Sequence, residues 1–154
     1  MRNIFAAFFV AFFIPVIVAQ TIAAADVANG VRANDAGWYD EALAEFLPAA
    51  VAGNVPAQMA LASMYQFGEG VRQDDDKAAI WTRAAAERGD AVGQVNLSEF
   101  FALGRGVALD TEQSYFWLFL AAGQGNSAAM AGLDTATASL TEAARRKIEQ
   151  QVHN

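Results

Sequence analysis

The stretch that decides the fold runs from Ala57 to Gly89 and reads AQMALASMYQFGEGVRQDDDKAAIWTRAAAERG. Two helix-like patterns flank a glycine-rich turn in this stretch, and the same frame returns 36 residues later. A fixed period between about 20 and 50 residues is typical of repeat proteins. The repeated positions hold aromatic residues and turn or helix-closing glycines, which are Tyr65 and Phe101, Gly68 and Gly104, Gly70 and Gly106, Trp81 and Trp117, and Gly89 and Gly125.

The segments between the glycines have the patterns of helices. A glycine such as Gly68 supplies the positive φ that ends a helix, and Asp74 or Asp75 is suited to cap the next helix. Asp110 or Thr111 holds the same capping position one period later. No strand pattern appears in the sequence, and alanine, which has the best helix propensity, is very common. We therefore expect an all-α chain of about seven helices, stacked as antiparallel pairs.

The frame divides most of the chain into units. We expect a degenerate first repeat at 26–54, full repeats at 55–90 and 91–126, and a half repeat with a capping helix at 127–154. The degenerate unit keeps two alanines and a glycine of the frame but has a shortened turn. The last helix is more polar than the repeats, as a terminal capping helix must be.

The N-terminal residues have the order of a secretory signal peptide. Arg2 gives a short basic start, and residues 4–19 are uncharged and almost wholly apolar. Small residues follow, and we place the cleavage after Ala25, so that residues 1–25 form the leader. Cleavage after Ala19 or after Ala23 is the alternative.

A cleaved leader predicts a periplasmic or secreted bacterial protein. If the leader stayed uncleaved, residues 4–19 would anchor the protein in the inner membrane. Those sixteen residues are fewer than the roughly 20 apolar residues that a spanning helix needs, which favours cleavage. No later stretch of the sequence is long and apolar enough to span a bilayer.

The composition restricts the partners. Ten bases and 17 acids give a net charge of −7, and loss of the leader with its single charge at Arg2 leaves nine bases against 17 acids, a net charge of −8. Such an acidic domain disfavours nucleic acid and anionic membrane surfaces, so we expect another protein as the partner. The chain has no cysteine, which excludes a thiol nucleophile, a thiolate metal site and a lipoprotein anchor.

The quoted stretch resembles the Sel1-like repeat, a family of tetratricopeptide-like α-solenoids, and the resemblance covers about Trp38 to Leu133. The first copy matches the family pattern at Ala57, Leu61, Tyr65, Gly68, Gly70, Val71, Asp74, Lys77, Ala78, Trp81, Ala84, Ala85 and Gly89. The second copy departs from it at Gly93, Phe101, Gln113 and Ser114, and Gln113 stands in place of the lysine. The resemblance implies a short right-handed superhelix of antiparallel helix pairs that serves as a protein–protein interaction module, without catalysis or a cofactor.

The stacking of successive repeats predicts where the aromatic residues pack and which residues line a binding groove. Each helix pair has a face that it cannot bury alone, so we expect Trp81, Trp117, Tyr65 and Phe101 to be wedges between successive pairs. Solenoids typically bind partners along a concave groove lined by the first helix of each pair. The polar and flexible side chains that we expect in this groove are Gln58, Met59, Ser63, Gln66, Gln94, Ser98 and Glu99.

A second candidate surface lies on the helix predicted at about 111–123. Tyr115, Phe116 and Phe119 add apolar area beyond what the repeat requires. Two interpretations stay open: these residues pack under the last helix through Leu140 and Ile148, or they form a docking patch for a partner.

Few residues are suited to catalysis. The single histidine, His153, lies next to the last residue, and the run Asp74–Asp76 lacks the spacing of a calcium loop. We therefore expect no catalytic, metal or cofactor site. The enzymatic alternative is a cell-wall-active hydrolase that uses an acidic pair such as Glu69 and Asp74. The other alternative is a ligand-binding or structural domain of an envelope complex, which a deep apolar pocket around Tyr115 and Phe119 would favour.

Overall fold

The computed structural model describes residues 27–153, so the predicted leader at 1–25 and its cleavage site lie outside the described residues. Eight α-helices and no strand form the described part, which confirms the predicted all-α class with one helix more than expected. The helices are α1 (27–35), α2 (Tyr39–Val51), α3 (Val55–Phe67), α4 (Asp75–Glu87), α5 (Ala91–Leu103), α6 (Thr111–Gly123), α7 (Ser127–Ala138) and α8 (Glu142–His153). Within 27–153, no helix has the length and apolar character needed to cross a bilayer.

Side-chain caps set where most of these helices begin. In each of α3 to α7, an Asn or Asp directly before the helix accepts a hydrogen bond from the backbone N–H three residues further on, at 2.6–3.0 Å. This bond satisfies one of the backbone donors that a helix start leaves free. The capping residues are Asn54, Asp74, Asp90, Asp110 and Asn126.

Each helix from α2 to α6 packs against the next one along the chain, as in a short solenoid of antiparallel pairs. One buried core joins α1, α2 and α3, with Phe46 and Leu61 at its centre and Trp81 of α4 packed against it. The next core joins α4, α5 and α6, where Trp117 packs on Leu97 and Phe101. Trp81 therefore packs against the core of the preceding unit, and Trp117 packs with Ala86 of the preceding repeat as well as with α5 of its own repeat.

The glycine-rich turns hold successive repeats close together. Gly68 and Gly104 end α3 and α5 in the left-handed conformation, with φ of 73° and 65°. The second glycine of each turn lies against the start of a helix in the preceding unit. A β-carbon on Gly70 would come 2.1 Å from Cβ of Tyr39, which leaves room for no residue but glycine.

The solenoid ends at α7. Leu133 keeps the apolar position of Leu97, but Asp134 stands one period after the buried Ser98 and is exposed. A charge at this position is stable only where that face of α7 stays in water. Instead α8 packs mainly against α6 and buries Ile148 there.

Candidate functional site

A cavity of about 260 Å³ lies between α3 and α5, the first helices of the two full repeats, and the space between these two helices is called the groove. Helix α4 closes it from below, and the turn between α5 and α6 forms one end. Its lining combines apolar walls with a polar rim and consists of Met59, Ala62, Ser63, Gln66, Phe67, Thr82, Asn96, Glu99, Phe100 and Arg105.

The cavity coincides with a break in the repeat at Thr82. The residues one period before and after Thr82 are Phe46 and Leu118, and both are large, apolar and buried. Thr82 is equally buried, at 2% exposure, but it is smaller and carries a hydroxyl. Because protein interiors are otherwise filled to crystal-like density, a small residue at a position filled by Phe or Leu elsewhere leaves space above it. We attribute the cavity to this substitution within the repeat.

The lining of the cavity carries one acid, Glu99, and one base, Arg105, and a second acid, Asp75, pairs with Arg105 from outside the lining. Arg105 donates two hydrogen bonds to the carboxylate of Asp75, of 2.8 and 3.2 Å, and lies 5.7 Å from the ring centroid of Phe100. The hydrogen bond to Asp75, and the neighbouring charges of Asp75 and Glu99, hold the pKa of Arg105 above its ordinary value. Since Asp75 already neutralises Arg105, the carboxylate of Glu99 is the excess charge at this rim.

Four of the residues expected in the groove line this cavity: Met59, Ser63, Gln66 and Glu99. The structure thereby brings Gln66 of α3 and Glu99 of α5 to the two sides of one space. The other six lining residues were not expected in the groove from the sequence: Ala62, Phe67, Thr82, Asn96, Phe100 and Arg105. The cavity at Thr82 could have been expected by comparing Thr82 with the residues one repeat before and after it, Phe46 and Leu118, because both are larger and apolar.

The structure corrects the expected exposure of Gln58 and Gln94, which are 3% and 4% exposed. Gln58 Nε2 donates to the carbonyl oxygen of Ala50 at 3.0 Å, and Gln94 Nε2 donates to that of Ala86 at 3.2 Å. Each glutamine therefore ties a first helix to the end of the preceding helix and is withdrawn from the groove. Ser98 is also buried, and its hydroxyl donates to the carbonyl oxygen of Val95 in the preceding turn of α5.

The aromatic residues of α6 pack with α8 in part, which favours the first of the two interpretations left open for them. Tyr115 is 4% exposed, and its hydroxyl donates to Oε1 of Glu149 at 2.8 Å. Burial first, and then the hydrogen bond to Glu149, raise the pKa of Tyr115. Phe119 stacks on Tyr115 with ring centroids 6.1 Å apart, and Phe116 meets Trp117 edge to face at 5.1 Å. Tyr115 is thus withdrawn from any docking patch, whereas Phe116 and Phe119 are half-buried.

An apolar recess lies beside Phe119, at the C-terminal end of the solenoid. It has a volume of about 550 Å³, and its lining belongs to α6, α7 and α8. Tyr115 is not part of this lining, which consists of Phe119, Leu120, Ala122, Gly123, Met130, Leu133 and Val152.

The remaining repeat residues occupy structural positions. Tyr65 is half-buried beneath the ammonium group of Lys77, which lies 5.1 Å from the ring centroid. Phe101 is buried and has the guanidinium of Arg83 at 5.2 Å. Gly89 and Gly125 follow the ends of α4 and α6 with φ of 86° and 84°.

In the acidic run Asp74–Asp76, Asp74 has a structural role, because it caps helix α4. Asp74 Oδ1 accepts the backbone N–H of Lys77 at 3.0 Å, and its second oxygen lies 3.4 Å from the Lys77 ammonium. The backbone hydrogen bond is the main reason why the pKa of Asp74 lies below its ordinary value. Among residues 27–153, no group of three or more His, Cys, Asp or Glu side chains is placed to hold a metal ion.

Two comparisons with solved structures support the same fold. A protective antigen of uropathogenic Escherichia coli strains that displays an SLR fold superposes with a TM-score of 0.77 at 28% identity, over 86% of this chain and 29% of the antigen. The chain therefore spans less than a third of that antigen. A Sel1 repeat protein from Oxalobacter formigenes superposes with a TM-score of 0.69 at 32% identity, over 73% of this chain and 88% of that protein.

The sequence comparisons agree with the structural ones. No curated protein matches this sequence. The model of the Sel1 repeat family matches residues 55–90 and again residues 91–126. Repeats of this family typically mediate protein–protein interactions. Together with the structural relatives, these matches show that the chain belongs to the Sel1 repeat family.

Proposed function

We propose that the chain is an exported scaffold that binds another protein along the groove between α3 and α5 and has no catalysis of its own. The groove cavity carries this proposal, because apolar walls, the exposed ring of Phe67 and the carboxylate of Glu99 come together there. Membership of the Sel1 repeat family supports a protein as the partner.

Site-specific photocrosslinking in cells tests the binding surface. A photoreactive amino acid at Ser63 in the groove should give a discrete crosslinked product with an envelope protein. The matched position is Glu87, which is exposed at the end of α4 and outside the cavity lining. Equal products from both positions, or none from Ser63, would contradict binding in the groove.

Export is tested separately, by the mass of the protein in isolated periplasm. Cleavage after Ala25 predicts a mature chain that begins at Asp26. A full-length chain recovered from the inner-membrane fraction would favour the anchor formed by residues 4–19.

The proposed lack of catalysis can be tested against the hydrolase alternative. Asp74 caps α4 and pairs with Lys77, and its lowered pKa makes it a poor general acid. Purified protein should therefore not turn over peptidoglycan or a β-lactam. Turnover that is lost in Glu69→Gln or Asp74→Asn would overturn this part of the proposal.

The recess beside Phe119 favours a second candidate function, a ligand-binding domain of an envelope complex. Its volume of about 550 Å³ lies within the range of about 300–1,000 Å³ that small-molecule sites occupy. Saturable binding of an anilinonaphthalene sulfonate dye, weakened by Met130→Glu, would support this candidate. If Met130→Glu leaves dye binding unchanged, the dye does not bind in the recess and this candidate function is contradicted.

A further inference from the structure

We propose that the cavity above Thr82 receives one large apolar side chain of an extended partner segment, and that Glu99 pairs with a Lys or Arg of the same segment. This inference rests on the proposed protein-binding function and adds the chemistry of the partner. Four observations carry it: the volume of the cavity, the apolar surface at its mouth, the repeat break that creates it, and the charge of the first helices.

The volume fits a side chain better than a whole small-molecule ligand. A cavity of about 150 Å³ inside a protein core is enough to hold benzene, and small-molecule sites usually occupy about 300–1,000 Å³. The groove cavity, at about 260 Å³, lies between these values. It has room for a phenylalanine, leucine or methionine side chain that enters from an outside backbone.

Apolar surface continues from the cavity onto its mouth. Phe67, the last residue of α3, lines the cavity and is 67% exposed. Leu103, the last residue of α5, lies one period later and is 57% exposed. Phe67 therefore leaves uncovered apolar area at the cavity, and a segment that inserts an apolar side chain would cover it. Leu103 is not part of the lining but adds a second exposed apolar side chain at the end of α5.

The repeat break makes the cavity a local feature of one repeat. Phe46 fills the corresponding position in the first unit and Leu118 fills it in the third, and both are buried. Thr82 of the middle unit lines the cavity, whereas neither Phe46 nor Leu118 is part of its lining. A single apolar side chain of the partner is therefore the expected occupant, not a row of them.

The charges of the groove favour a Lys or Arg of the partner close to the apolar side chain that enters the cavity. The first helices α3, α5 and α7 contain two charged residues between them, Glu99 and Asp134, and both are acids. Arg105 is the one base that lines the cavity, and it is paired with Asp75. Glu99 also feels the charge of Arg105, but the hydrogen bonds of Arg105 go to Asp75, so the carboxylate of Glu99 has no hydrogen-bonded base in the lining and can pair with a Lys or Arg of the partner.

A displayed library of random twelve-residue peptides, selected on the immobilised chain 26–154, tests the inference. We expect the selected peptides to share a large apolar residue with a Lys or Arg a few positions away. Thr82→Leu should weaken the selected peptides at least tenfold, because leucine fills the cavity as it does at position 118. Thr82→Val, which keeps the volume of the side chain, should change their affinity by less than twofold.

The role of Glu99 is tested with Glu99→Gln, which removes its charge, and with Glu99→Lys, which reverses it. Glu87→Lys is the matched control, because it reverses a charge outside the groove. We expect about threefold weaker binding for Glu99→Gln, more than tenfold for Glu99→Lys, and no change for Glu87→Lys. Thr82→Leu protein should still select basic peptides, but without the shared apolar residue. Circular dichroism of each variant separates loss of binding from loss of fold.

The outcomes distinguish this inference from the proposed function. Peptides that bind Thr82→Leu and Glu99→Lys as they bind the unmodified chain would overturn the inference and leave protein binding elsewhere intact. Acidic peptides, or peptides without a shared apolar residue, would also overturn it. If the selected peptides match a segment of this chain, the cavity is occupied by a second copy of the chain, and the inference of a different partner is overturned. If no peptide is selected and Ser63 gives no crosslink, both the inference and the proposed function fail.

Discussion

Gly106 lies against the first turn of α4 so closely that a β-carbon on it would come 2.0 Å from the carbonyl oxygen of Asp75. Gly106 has a φ of 60°, in the region that residues with a β-carbon rarely adopt. Gly70 has the equivalent neighbour one repeat earlier, Tyr39, which precedes Asp75 by 36 residues, but its nearest atom there is the side-chain Cβ of Tyr39. The second glycine of each turn is therefore a point of close contact between successive repeats, with the backbone of Asp75 at Gly106 and with the side chain of Tyr39 at Gly70.

We expect Gly106→Ala to lower the free energy of unfolding by about 3 kcal/mol, because left-handed strain of about 1–2 kcal/mol adds to the displacement of α4. Gly125→Ala is the matched control, since Gly125 has a φ of 84° but no atom within 4 Å of its β-carbon position. It should lose only the strain, about 1 kcal/mol. Urea denaturation measures both, and equal losses would contradict the backbone contact.

The three tryptophans provide a graded test of packing between repeats. Trp117 is buried, Trp81 is half-buried, and Trp38 is 64% exposed. We expect Trp117→Ala to cost about 3–5 kcal/mol, the range for a buried aromatic residue, and Trp81→Ala to cost less. Trp38→Ala should change stability by no more than about 0.5 kcal/mol. A melting temperature unaffected by Trp117→Ala would show that Trp117 does not join the repeats.

The fold could be predicted because its determinants repeat. Glycine at 68 and 104, with a capping aspartate at 74 and 110, marks the end of one helix and the start of the next in both copies. Such local signals depend on a few neighbouring residues, so they are visible without the tertiary structure. The position of α8 has no such signal, because α8 packs mainly on α6 and has no counterpart in the repeats.

The candidate site could be predicted only in part, because helix phase decides which polar side chains reach the groove. Gln58 and Gln66 lie on the same helix and have the same chemistry, yet Gln58 is buried on Ala50 and Gln66 lines the cavity. A turn of 100° per residue separates the two side chains by about 80° around α3. Composition cannot resolve that difference, and it gives no indication of the space above Thr82.

Tyr115 should make stability depend on pH in alkaline solution. Its pKa is raised in the folded chain by burial and by the hydrogen bond to Glu149. Below pH 10 the phenol keeps its proton in both states and adds no pH dependence. Above about pH 10 the unfolded chain loses this proton first, so stability falls as the pH rises towards the raised pKa.

Tyr115→Phe tests this pH dependence of stability, because it removes the hydroxyl that ionises. It should cost about 1 kcal/mol near neutral pH, because the hydrogen bond that ties α6 to α8 is lost. It should also flatten the decline of stability above pH 10. Urea denaturation at several pH values measures both effects, and a decline as steep as in the unmodified chain would assign the titration to other groups.

Thr82→Leu should stabilise the chain while it removes the groove cavity. Filling a cavity commonly adds about 0.5–2 kcal/mol, and the repeat already holds Leu118 at the equivalent position, so its backbone geometry accepts leucine. Thr82→Val removes the hydroxyl without filling the space and should gain less. Thermal denaturation of the two variants measures the difference. A loss of stability in Thr82→Leu would mean that the walls of the cavity cannot accommodate the larger side chain. A gain would mean that the chain is less stable with Thr82 than it could be, as expected where an open cavity serves binding.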